Sequence, residues 1–145
     1  MNKSLPNKHI RLAVYNAINN IVVDSITIPC FDTRITTDGQ TDPPFAYVLM
    51  STQTNEVDKQ NKCEYFWDSS ILLDIIVHYD GAGNTGSRLF IDNILDEVRN
   101  QLQNLALTGA LEIVWMNMSF PADITSETSS EIIYRKFLRL EMKIK

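Results

Sequence analysis

Apolar residues recur at spacings of three and four near the start of the chain: Ile10, Val14, Ala17, Ile18 and Ile21. That stripe predicts an amphipathic helix over residues 8–22. Asn7 offers an N-cap oxygen, and Pro6 blocks an earlier helical turn. Asp24 and Ser25 break the pattern, and the β-branched run at 26–32 reads as a short strand. Pro29 within it has no N–H for a ladder, which puts that strand at an edge or a bulge. Residues 33–44 read as a loop with an Asp38-Gly39 turn, and 45–52 as a strand. Residues 55–62 are charged and polar, as in a long hairpin tip or a mobile connection.

The segment 64–80 has period two. Ile71, Leu73, Ile75, Val77 and Tyr79 share one face; Leu72, Asp74, Ile76, His78 and Asp80 share the other. Such a strand is covered on one side and partly wet on the other. A Gly-rich turn at 81–87 opens a second helix over 88–104, with Leu89 or Phe90, Ile91, Ile94, Leu95, Val98 and Leu102 as its stripe. Gly109 is the natural breaker, 111–120 reads as a strand and 121–131 as a polar loop. The last strand, 132–144, alternates: Ile132, Tyr134, Leu138, Leu140, Met142 and Ile144 share a face with Lys136. The order is α-β-β-β-α-β-β. It predicts an α+β domain, a mostly antiparallel twisted sheet with two helices packed on one face.

The length of 145 residues suits a single domain over residues 1–145, with the ends at 1–7 and 143–145 reading as flexible. With 13 Lys plus Arg against 18 Asp plus Glu, the formal charge is −5. This argues against a dedicated nucleic-acid binder but not against a protein that DNA merely passes. Apolar runs such as 45–50 fall far short of the roughly 18–20 residues of a membrane helix. Residues 1–9 contain no apolar core of an export signal, so Cys30 and Cys63 read as free thiols, Cys30 buried and Cys63 exposed. His9 and His78 lack metal-ligand spacing from either cysteine.

One motif invites chemistry. Gly81, Gly83 and Gly86 spell G-x-G-x-x-G between a predicted strand and a predicted helix. A helix N-terminus there offers free N–H donors to a pyrophosphate. Against a dinucleotide site, Asp80 would set a carboxylate beside the phosphates, and 103–110 contains no acid for a ribose. A capped turn is the better reading; a small nucleotide-binding enzyme using this turn is the alternative from another class. No G-x-S-x-G elbow occurs, and neither histidine has an evident nucleophile or acid partner in sequence. Asp74 and His78, four apart on one strand face, read as a solvated face. Asp92 and Asp96 read as wet helix surface, and Tyr65, Phe66 and Trp67 as core or interface packing.

The order of short patterns resembles a known family. Leu12-Ala13-Val14-Tyr15-Asn16-Ala17-Ile18 comes first, then Pro29-Cys30-Phe31-Asp32 and Pro44-Phe45-Ala46-Tyr47-Val48. Leu72-Leu73-Asp74-Ile75-Ile76-Val77 and Ile94-Leu95-Asp96-Glu97-Val98 follow. Nearly the whole chain resembles the tail terminator (tail-completion) proteins of long-tailed bacteriophages and related head–tail neck proteins. The resemblance implies a virion structural protein, assembled in the host cytoplasm, with no catalytic residue, cofactor or metal. It implies a ring, usually a hexamer, on the head-proximal end of the tail tube. Such a ring stops tube polymerisation and docks the neck, and DNA passes through its lumen without specific binding. Its expected partners are copies of itself, the tail tube protein and a neck or connector protein; a connector ring of twelve copies on the portal is the near alternative. The polar loops suggest Thr37, Asp38, Gln40, Glu56, Asp58, Lys59 and Lys62 as interface residues. A six-fold ring would carry −30, which favours a neutral or acidic channel where DNA slides.

Overall fold

The first helix, α1 (Asn7–Ile18), is shorter than its apolar stripe. Asn19 leaves the helix and Asn20 takes a positive φ of 60°, a conformation asparagine tolerates better than most residues. The β-branched residues that follow form a strand, β1 (Ile21–Val23), and not a last helical turn. Ile21 is buried either way, so its place in the stripe could not distinguish the two. Asp24 and Ser25 both have positive φ, as in the two-residue hairpin turn whose twist suits flanking strands. They return the chain as β2 (Ile26–Ile28), paired antiparallel with β1. The helix start also differs from expectation: Pro6 occupies the N-cap position with no side-chain cap. The Asn7 side chain instead accepts from Asn55 Nδ2.

The computed structural model describes residues 5–32, 45–57, 66–80, 88–127 and 131–145. The main sheet takes β3 (Cys30–Phe31), β4 (Ala46–Val57), β5 (Trp67–Asp80), β6 (Ile113–Ser119), β7 (Asp123–Glu127) and β8 (Glu131–Ile144). Its order is β3-β4-β5-β8-β6, with β7 also on β8. Only β3 runs parallel to its neighbour; every other pairing is antiparallel. Pro29 directly precedes β3, the edge strand, and its carbonyl accepts from Val48 N–H at 3.0 Å. β5 and β8 pair without interruption from Trp67–Ile144 to Asp80–Glu131. β6 and β7 share the opposite flank of β8, β6 along 139–144 and β7 along 132–136.

Two strands depart from the expected boundaries. β4 continues to Val57 through a bulge, where Met50 faces Leu73 but Gln53 faces Ile71. One extra residue swaps the faces, so Ala46, Val48 and Met50 are succeeded on the inner side by Gln53, Asn55 and Val57. The alternation breaks there, and the strand reads as ended. β7 lies within the expected polar loop. All five of its residues are exposed, so no hydrophobic period announces it; main-chain pairing to β8 holds it.

Both helices pack on one face of the sheet. The core joins Ile10, Val14 and Ile18 of α1 to the inner residues of the second helix, α2 (Arg88–Leu102). In α2 Phe90 is buried and Leu89 exposed. Under them lie Ile71, Leu73, Ile75 and Val77 of β5 and Leu138, Leu140, Met142 and Ile144 of β8. Full burial of such side chains contributes roughly 1.5–3 kcal/mol each, several times the ~0.7 kcal/mol span of ordinary helix propensities. Lys136, the polar member of this face, is tied to Asp92 of α2, so Asp92 joins helix to sheet. Asp123 lies 3.7 Å from the same ammonium. Residues 143–145, where looseness is the expectation, carry ladder contacts: Ile144 is fully buried, and Lys145 exchanges main-chain hydrogen bonds with Glu112.

Gly109 has φ +73°, and a Cβ there would come within 2.5 Å of the His9 ring. His9 Nδ1 also lies 2.9 Å from Thr108 Oγ1, so α1 rests on this turn. Gly109→Ala is expected to lower stability by about 1–2 kcal/mol through strain and the close contact. His9→Ala in the same chain should restore part of that loss in denaturant unfolding. An additive double variant would show that the ring contact does not matter.

Candidate functional site

No helix among the described residues covers the second face of the sheet. Its side chains come from the odd-numbered start of β4, then Thr52, Thr54 and Glu56 after the bulge. β5 adds its even-numbered residues, β8 its odd-numbered ones, and β6 adds Trp115, Asn117 and Ser119. The face divides into two zones.

In the first zone Asp74 is 3% exposed and meets Arg135 across the β5–β8 ladder. Arg135 Nη2 donates to Asp74 Oδ2 at 2.5 Å, and its Nε donates to Oδ1 at 3.4 Å. The hydrogen bond to Asp74 pushes the Arg135 pKa further up, so the guanidinium stays charged. Beside this pair Tyr47 stacks on His78, ring centroids 5.8 Å apart. His78 Nδ1 lies 2.5 Å from Glu131 Oε1, and Nε2 lies 3.5 Å from Tyr47 Oη. Burial, then the Asp74 charge, raises the Tyr47 pKa, so the phenol remains neutral and a weak nucleophile. The expectation of a solvated Asp74 and His78 is thereby corrected. Asp74 is buried because Arg135 neutralises it, and His78 does have an acid partner. The cue in sequence was a lone acid within the apolar run 72–77; its partner lies 61 residues away, visible only once the register is known.

The second zone is an open groove of about 510 Å³. It is lined by Thr52, Thr54 and Glu56 of β4, Asp68, Ser70 and Leu72 of β5, Arg139 and Glu141 of β8 and Trp115 of β6. Trp115 is 54% exposed. Of the residues expected at an interface, Glu56 lies here, exposed at the border strand. Thr37, Asp38, Gln40, Asp58, Lys59 and Lys62 lie outside the described residues, as do Tyr65, Cys63 and the Gly81, Gly83 and Gly86 turn. Trp115 carried no signal as a site residue, since an apolar strand explains it equally well.

A second groove, about 470 Å³, runs between α1 and β3 past Leu12, Tyr15 and Phe31. The Arg11–Asp32 ion pair crosses it. Cys30 at its floor is buried, and its thiol is pushed up to about 12 by that burial and then by Asp32, which keeps it protonated and unreactive. Among the described residues no group of three His, Cys, Asp or Glu could hold a metal ion. No helix among them is long and apolar enough to cross a membrane. The bare face offers mixed charge, the exposed Trp115 and two strand borders, features shared with surfaces that contact macromolecules.

A solved structure shares this fold. The chain superposes on a component of a virion. That structure is described as "Virion of native gene transfer agent (GTA) particle", and the match has a TM-score of 0.60 at 11% identity. It covers 94% of this chain and 96% of that one, so the likeness is of whole domain to whole domain. At this identity it establishes the shared fold. No protein-family model matches the chain, and no curated protein matches it in sequence.

The Asp74–Arg135 pair has a direct test. Arg135→Met leaves a buried carboxylate without its partner and should cost about 2–4 kcal/mol in urea unfolding, reduced from the largest such losses because Arg135 reaches solvent. Replacing both, Asp74→Leu with Arg135→Met, should recover most of it. A double variant no more stable than the single would show that the pair is not what makes Asp74 tolerable.

Proposed function

We propose that this chain is a virion structural protein. It forms a ring at the head-proximal end of a tail tube, ends tube assembly and joins the tail to the neck, and DNA passes through the lumen. The observation that carries this reading is the likeness, along nearly the full length of both chains, to a component of a virion particle. The resemblance of its short sequence patterns to tail terminators points the same way. The site supports it too: a broad bare sheet face with an exposed tryptophan is a surface for assembly. Glu56 is the described member of the contact set, and Thr37, Asp38, Gln40, Asp58, Lys59 and Lys62 extend that set to neighbouring copies or to the tube.

The role proposed is mechanical, and no residue acts as a catalyst. In this reading the helices lie on the outside of the ring and the bare face turns towards the lumen. Its grooved half carries Glu56, Asp68 and Glu141 against Arg139 and Lys143, a small acidic excess. Tight DNA binding arises when Lys and Arg displace counterions from phosphates, so a face of this balance lets the duplex slide.

Particles produced without this chain should have tails of uneven length that fail to join heads, as counted by negative-stain microscopy, and supplying the chain should restore both. Tails of normal length joined to heads in its absence would contradict the reading. Glu56→Lys combined with Glu141→Lys should raise DNA affinity measurably at low salt, and the gain should fall as salt rises.

A further inference from the structure

Among the described residues the main sheet ends in two open borders. On one, β6 pairs only with β8 among the described residues. Its seven residues include no charge and no proline, and Val114 and Trp115 are both about half exposed. On the other, residues 51–57 of β4 run past β3, which among the described residues pairs only with Val48 and Leu49. That stretch carries one charge, Glu56. β6 has a bulge near its start and β4 one at its middle, and each strand is regular afterwards. Monomeric proteins blunt open edges with lysine, proline or a covering segment, because unpaired main-chain groups recruit another strand.

The main-chain groups can be assigned. Glu112 and Lys145 exchange hydrogen bonds, so alternation along β8 turns Asn117 and Ser119 towards β8 and leaves Met116 and Met118 pointing outwards. His78 donates to the Phe45 carbonyl, so alternation along β5 turns Thr54 and Glu56 towards β5 and leaves Gln53, Asn55 and Val57 pointing outwards. The two borders lie at the same end of the sheet. Thr54, Ser70, Glu141 and Asn117 form one row across it.

We propose that copies of this chain join edge to edge, β6 of one copy pairing antiparallel with residues 51–57 of β4 in the next. The occupant is a second copy because of strand parity. In the half of the sheet that these borders flank, β4 and β8 run one way and β5 and β6 the other. A head-to-tail repeat therefore sets β6 against an oppositely directed β4, and the antiparallel sheet continues unchanged. One kind of contact satisfies both borders, whereas β6 against β6 would leave every β4 border open. The next copy's Thr52, Thr54 and Glu56 then lie beside Trp115 and cover it. The inference rests on the ring reading only for closure of the series into a circle.

Cross-linking tests it in the full chain. In a Cys63→Ser background, with Cys30 buried, protein carrying Asn117→Cys is mixed with protein carrying Thr54→Cys and oxidised. Thr52→Cys covers a stagger of two residues. A disulfide-linked heterodimer should form in one of the mixtures and not from either partner alone, and a chain carrying both cysteines should give a ladder of covalent oligomers. Adding Val114→Lys to the Asn117→Cys partner should abolish the cross-link without changing its thermal unfolding. Self-linking of Asn117→Cys would put β6 against β6 and overturn the proposal, as would mixtures that give no cross-link. The ring reading is judged separately, by native mass: cross-linked open filaments retain the edge contact and sink the ring, and closed rings without the cross-link do the reverse.

Discussion

A sheet has two faces, and the two helices described here cover one of them. α1 and α2 together shield the inner residues of β4, β5 and β8, where fully buried aliphatic side chains meet from both layers. The other face must then be stable in contact with water, and its composition follows from that requirement. The buried Asp74 is paired with Arg135, and His78 beside it lies within hydrogen-bond distance of Glu131. In the groove Thr54 and Ser70 share a hydrogen bond, and Glu56, Glu141 and Arg139 line the surface with Trp115 among them. The same one-sidedness accounts for the borders. β6 and the far half of β4 each have a half-buried inner side, a wet outer side and, among the described residues, one row of main-chain groups with no strand beside it.

The elements with a strong period were legible in sequence. α2, β5 and β8 have strong apolar stripes, that of α2 open only between Leu89 and Phe90, and the assignment of Tyr134, Leu138, Leu140, Met142 and Ile144 to a single buried face follows from alternation alone. The losses have specific physical origins. Ile21 fits the stripe of α1 yet belongs to a strand, because burial is satisfied by either geometry and the Asn19-Asn20 break decides. The bulge after Met50 reverses the alternation of β4, so a continuous strand resembles a strand followed by a polar loop. β7 has no buried residue to give it a period.

The candidate site was less legible, for a different reason. Its parts are pairings across strands, and a pairing needs register. Asp74 looked like one polar residue on a wet face; only the β5–β8 ladder reveals Arg135 diagonally across from it, opposite Ile76. Glu56 could be named from the polarity of its surroundings, but its place at the end of the row that reaches Trp115 depends on the bulge. The net charge of −5 now has partial placement. Some of it lies on the bare face at Glu56, Asp68 and Glu141, diluted by Arg139 and Lys143, and the helix side carries Asp92 bound to Lys136.

The central claim is that copies of this chain form a ring with the bare sheet face inwards and the helices outwards. Cryo-electron microscopy of particles containing the chain measures this directly. The account predicts a closed ring between tail tube and neck, with β4, β5, β8 and β6 of successive copies lining the channel and α1 and α2 on the rim. A ring with α1 or α2 against the channel, or particles in which the chain does not form a ring, would contradict it.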